Sequence, residues 1–66
     1  MQIALNGESF EVLADATLAA LAEQLNLGQA RFAIEVNQDI VPRSEHEHFR
    51  LSPGDRVEIV QAIGGG

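Results

Sequence analysis

The 66-residue sequence predicts one α+β domain: a mixed sheet of four to five strands packed on a single helix, followed by a flexible C-terminal glycine tail. Three observations carry that reading. Apolar residues alternate on both sides of Asn6-Gly7, the pattern of a β-hairpin. Leu18, Leu21, Ala22 and Leu25 recur at i, i+3, i+4 and i+7, the pattern of one helix face. The chain alternates again from Arg56 to Ala62 and ends Ile63-Gly64-Gly65-Gly66.

Met1 to Asn6 places Ile3 and Leu5 on one face, and Phe10 and Val12 repeat the alternation after the turn. Asn and Gly both tolerate the positive φ that a type I′ turn requires, so the segment reads strand, turn, strand. Asp15 or Thr17 is placed to cap the helix by accepting bonds from its unpaired N–H groups. The leucine stripe is core, and Asn26-Leu27-Gly28 ends the helix with Gly28 as the left-handed cap. Phe32, Ile34 and Val36 face inward on a third strand, and Asn37-Gln38-Asp39 is a turn. Ile40-Val41-Pro42-Arg43 is a short edge strand, because Pro42 cannot donate to a central ladder. Ser44 to His48 is a loop or a single helical turn, Phe49-Arg50-Leu51 a short strand, and Ser52-Pro53-Gly54-Asp55 a turn. In the last strand Val57 and Ile59 face inward and Glu58 outward. Val60 and Ala62 then fall on the outer face, where apolar groups make either a docking patch or ordinary surface hydrophobes. The order ββαβ(β)β, with the first and last long strands side by side, is that of the β-grasp, or ubiquitin-like, fold. The expected division is a domain over 1–63 and a tail over 64–66.

Composition narrows the function. A domain this small buries only about 60% of the surface of its unfolded chain and has no room for a deep enclosed active site. There is no cysteine, hence no side-chain thiol nucleophile and no disulfide staple, which favours an intracellular setting. With no signal-peptide pattern and no run near the ~20 apolar residues of a membrane span, a cytoplasmic protein that does not engage a membrane is expected. The net charge of −6 disfavours nucleic acid and favours a basic protein surface as partner. Lysine is absent; the side-chain cations are Arg31, Arg43, Arg50 and Arg56.

Side-chain chemistry finds little support. His46 and His48, within Glu45-His46-Glu47-His48, have the i, i+2 spacing of a metal pair on a strand, but no third ligand cluster accompanies them. They read as solvated loop residues, and no metal site is assigned. No Ser/His/Asp grouping and no phosphate-cradling glycine motif occurs. The unusual reactive group is the C-terminal carboxylate of Gly66, on an arm whose residues Gly64 and Gly65 carry no side chain. A carboxylate needs activation before acyl transfer. Adenylation supplies it, with ATP and Mg²⁺ used by a partner enzyme rather than bound here. On the residues alone, the arm is either reactive or loose padding.

Several segments carry a resemblance that spans the chain. These are the Met-Gln-Ile strand, Val36-Asn37-Gln38-Asp39-Ile40-Val41-Pro42-Arg43, the run Pro53-Gly54-Asp55-Arg56-Val57-Glu58-Ile59, and the terminal Gly-Gly. Together they resemble the sulfur carriers of thiamine biosynthesis in the ThiS/MoaD ubiquitin-like family. The resemblance implies a non-enzymatic carrier, adenylated at Gly66 by an E1-like (ThiF-like) adenylyltransferase. A cysteine-desulfurase persulfide then converts it to a thiocarboxylate, which donates sulfur to a ThiG-like thiazole synthase. Gly65 and Gly66 correspond to the family diglycine, so no maturation protease is required. Val60, Ala62 and Ile63 correspond to positions that dock on the activating enzyme. The molybdopterin-synthase small subunit shares these features but is commonly longer and has a proline before its glycines. A non-reactive β-grasp interaction module is the alternative from another class.

Overall fold

The computed structural model describes residues 1–28 and 30–61. Five strands and one helix run in the order β1 (Gln2–Leu5), β2 (Glu8–Glu11), α1 (Leu18–Gln24), β3 (Phe32–Val36), β4 (Asp39–Val41) and β5 (Arg56–Gln61), with a 3₁₀ turn at Arg43–Glu45. The sheet order is β2-β1-β5-β3-β4, so the last strand is the central one. It pairs parallel with β1 and antiparallel with β3, while β1–β2 and β3–β4 are antiparallel hairpins. This is the β-grasp arrangement, with the helix side of the sheet forming the core. Ile3, Leu18, Leu21, Ile34, Val36, Val41, Leu51 and Val57 are all buried there.

Both hairpin loops are two residues long, closing Leu5 on Glu8 and Val36 on Asp39. Asn6 and Gly7 have φ of 50° and 85°, and Asn37 and Gln38 have φ of 51° and 76°, as type I′ turns demand. The two turn asparagines also grip β5. Asn6 Oδ1 accepts from the Ile59 N–H at 2.9 Å, adding a rung where β1 has ended, and Asn37 Oδ1 accepts from the Arg56 N–H at 3.0 Å. The turn before β5 has Pro53 and Gly54 (φ 82°) at its centre and the Asp55 N–H bonded to Ser52 O at 3.1 Å, a type II turn. Replacing Asn6 by Gly would keep the positive φ and remove the bond to Ile59. The expected cost is about 1 kcal/mol, read as a lower urea midpoint; an unchanged midpoint would show that water serves that N–H equally well.

Helix α1 has only seven residues and would be marginal alone. Its N-terminal donors are all occupied. Leu18 N–H donates to Phe49 O, Ala19 N–H to His46 O, and Ala20 N–H to Thr17 Oγ1, which makes Thr17 rather than Asp15 the cap. The C-terminus closes with Leu27 N–H on Ala22 O and Asn26 N–H on Glu23 O, the paired bonds of a Schellman motif. The left-handed residue in it is Asn26 (φ 58°), not the expected Gly28, which is left-handed two residues later.

Two further expectations need correction. Phe49-Arg50-Leu51 is not a strand: it makes a single bridge, Thr17 to Arg50. Its backbone is committed to the helix entry, with Phe49 O on Leu18 and Leu51 N–H on Ala16 O, so no ladder forms. His46 is not a solvated loop residue. It is buried, stacked on Phe32 with ring centroids 6.0 Å apart, and its Nε2 lies 3.0 Å from Val41 O. His48 is exposed, as expected. β1 is slightly shorter than expected, running from Gln2 to Leu5, and β5 is a strand up to Gln61, the last described residue.

Candidate functional site

Gly64, Gly65 and Gly66, and with them Ala62 and Ile63, lie outside the described residues, as does the expected boundary at 63/64. What the structure defines is the root from which they continue. β1 pairs with the start of β5 at Arg56 and Val57, Asn6 and Asn37 reinforce it, and β3 holds it along its length up to Gln61, which is registered opposite Phe32. Val57 is fully buried and Ile59 half-buried on the helix side.

Val60 stands on the other side, 62% exposed and opposite Ala33. The register then reveals neighbours that no local pattern indicated. Glu58 faces Glu35 directly, and Glu35 faces Ile40, which is 69% exposed. The outer face of β5, β3 and β4 thus combines Val60, Ala33 and Ile40 with two carboxylates side by side. Like charges placed directly across a ladder repel. A cationic group on a docking partner would relieve that repulsion while the apolar trio is covered. Ile40 could have been found from the sequence: Val41 faces inward, so its neighbour must face outward.

His46 and His48 do not form a metal pair. The first is committed to Val41 and Phe32, and among the described residues no group of three or more His, Asp or Glu side chains is disposed to hold an ion. No helix of the described residues is long and apolar enough to cross a membrane.

Comparison with known proteins accords with this geometry. The ThiS family model matches residues 3–66. The chain belongs to the ThiS family. It is 38% identical, over the full length of both chains, to the sulfur carrier protein ThiS of Escherichia coli (strain K12). It is also 38% identical, over all 66 residues, to part of a thiazole synthase of Paramagnetospirillum magneticum, spanning 20% of that protein's length. The crystal structure of the thiamine biosynthesis protein ThiS from Geobacter metallireducens superposes with a TM-score of 0.84 at 26% identity, covering both chains completely. ThiS-family membership thus covers the β-grasp body and extends through the terminal glycines.

Proposed function

We propose that this chain is a sulfur carrier for thiazole formation in thiamine biosynthesis, with the Gly66 carboxylate as its reactive group. The observation that carries the reading is the full-length likeness to a sulfur carrier protein. The carboxylate attacks the α-phosphate of ATP held with Mg²⁺ by an E1-like, ThiF-like adenylyltransferase, and pyrophosphate leaves. The terminal sulfur of a cysteine-desulfurase persulfide attacks the acyl-adenylate carbonyl and AMP leaves. A thiol then reduces the acyl disulfide and frees the thiocarboxylate. Gly64 and Gly65 keep the approach to that carbonyl clear of side chains. The chain itself binds no cofactor and catalyses no step; its working site is cytoplasmic. A carrier-like segment within a thiazole synthase polypeptide supports a ThiG-like synthase as the acceptor.

Val60, with Ala62 and Ile63 beyond it, forms the docking surface for the activating enzyme in this reading. Val60→Asp should weaken that complex by roughly tenfold by placing a third carboxylate beside Glu35 and Glu58. Its stability should fall by no more than about 1 kcal/mol, the cost of an Asp in a strand beside like charges, because the side chain is exposed. Titration by calorimetry together with a thermal melt checks both.

The reading is tested by intact mass spectrometry after incubation with ATP, the adenylyltransferase and a persulfide donor. The expected product carries sulfur in place of one oxygen at Gly66. An unaltered mass, under conditions that load the Escherichia coli carrier, refutes it.

A further inference from the structure

On the helix side, at the end of the sheet where β5 reaches Gln61, lies a groove of about 610 Å³. Its volume falls within the range of ligand-sized sites, about 300–1,000 Å³. Ala19, Ala22 and Phe32 supply the apolar part of its floor, the rest of the lining being polar. Glu23 reaches it from α1 and Glu47 from the loop after the 3₁₀ turn. One cation is present, Arg43, and its guanidinium already sits over the Phe32 ring, 4.3 Å from the centroid.

The two carboxylates, which only accept, set the hydrogen-bonding preference of the groove. Val41 O can only accept, so His46 donates to it from Nε2. Ser44 and Asn26, also in the lining, can each donate or accept. An anion would meet two carboxylates against one guanidinium that is already engaged. A metal ion would find no group of three or more ligating side chains among the described residues. The groove suits a cationic head on an apolar stem, the form of an arginine or lysine side chain. Phe32 is both part of the floor and the cross-strand partner of Gln61. An occupant would therefore lie beside the root of the reactive tail.

We propose that this groove is a second docking site, receiving an arginine or lysine side chain of the E1-like adenylyltransferase. That enzyme would thereby grip the helix side of the carrier as well as the sheet face around Val60. The inference rests on the carrier reading above and adds a contact to it. A net charge of −6 alone would attract basic proteins anywhere on the surface, so the test compares equal changes of charge at two places. Glu23→Lys with Glu47→Lys reverses the groove. Glu8→Lys with Glu11→Lys makes the same change on β2, at the opposite edge of the sheet. All four side chains are exposed, and thermal melts verify that the variants fold.

Binding of the full chain to the adenylyltransferase is measured by calorimetry at low and physiological salt. The groove pair should weaken binding by about tenfold or more, the β2 pair by less than about threefold, and the neutral pair Glu23→Gln with Glu47→Gln by an intermediate factor. Equal losses for the groove and β2 pairs, or no loss for the groove pair, overturn the groove while leaving the carrier reading intact, provided the wild-type chain is loaded with sulfur. A wild-type chain that neither binds nor is loaded removes both.

Discussion

Deletion of Gly65 and Gly66 should abolish ATP-dependent sulfur loading without altering the fold. The two effects separate because the described core does not draw on the tail. The ten buried apolar residues run from Ile3 to Val57, and β5 is fixed by β1, β3 and the turn asparagines. The urea midpoint of the shortened chain should therefore match the wild type. Loading is different. Removing two residues shortens the greatest reach of the chain by about 7 Å, and a displacement of about 1 Å at a reacting centre already costs on the order of a hundredfold. The new C-terminus, Gly64, would still carry a carboxylate, but one unable to reach the α-phosphate while the body stays docked. Loading measured by intact mass should fall to background, and binding through the β5 face should persist at reduced affinity. A deletion that kept full loading would mean that the carboxylate is activated without a fixed reach. One that kept all cellular function would favour a plain interaction module, whose affinity resides in the sheet.

The elements legible in the sequence were those governed by local rules. Asn6-Gly7 announced its turn because few residue pairs tolerate two consecutive positive φ values. The leucine stripe and the alternation through Val57 and Ile59 announced their faces. What stayed hidden depended on partners distant in the chain. Gln38 adopts φ 76° although nothing in its chemistry favours that; the β3–β4 register imposes a two-residue loop. Phe49–Leu51 alternates like a strand, but its backbone bonds go to the helix entry. His46 sits in a polar run and is buried because Phe32, 14 positions away, provides a ring to stack on and Val41 a carbonyl to accept its proton. The candidate site divides the same way. Val60 was visible from alternation, whereas the Glu58–Glu35–Ile40 row exists only through register across three strands.

Leu21→Ala should produce a loss of stability matched in the helix only by truncation of Leu18, the other fully buried leucine. Leu21 is fully buried at the centre of a seven-residue helix, facing a core it shares with Ile34 and Val57. Truncating a fully buried leucine costs about 2–5 kcal/mol, the larger values where the cavity cannot collapse. A chain of this length has a total stability of only about 3–10 kcal/mol, so a substantial fraction of the variant should be unfolded at 37 °C. Leu25, half-buried in the next turn, should cost clearly less when truncated. Urea titration distinguishes the two by midpoint at unchanged m-value. A loss below about 1 kcal/mol for Leu21 would show that the helix contributes little to holding the sheet. The variant also separates stability from recognition, because Leu21 is fully buried while Val60, Glu58 and Ile40, and Glu23 and Glu47 of the groove, are exposed. At low temperature, where the folded fraction recovers, its loading rate per folded molecule should equal the wild type's. A deficit persisting there would mean that the cavity left by Leu21 reshapes the surface that the activating enzyme reads.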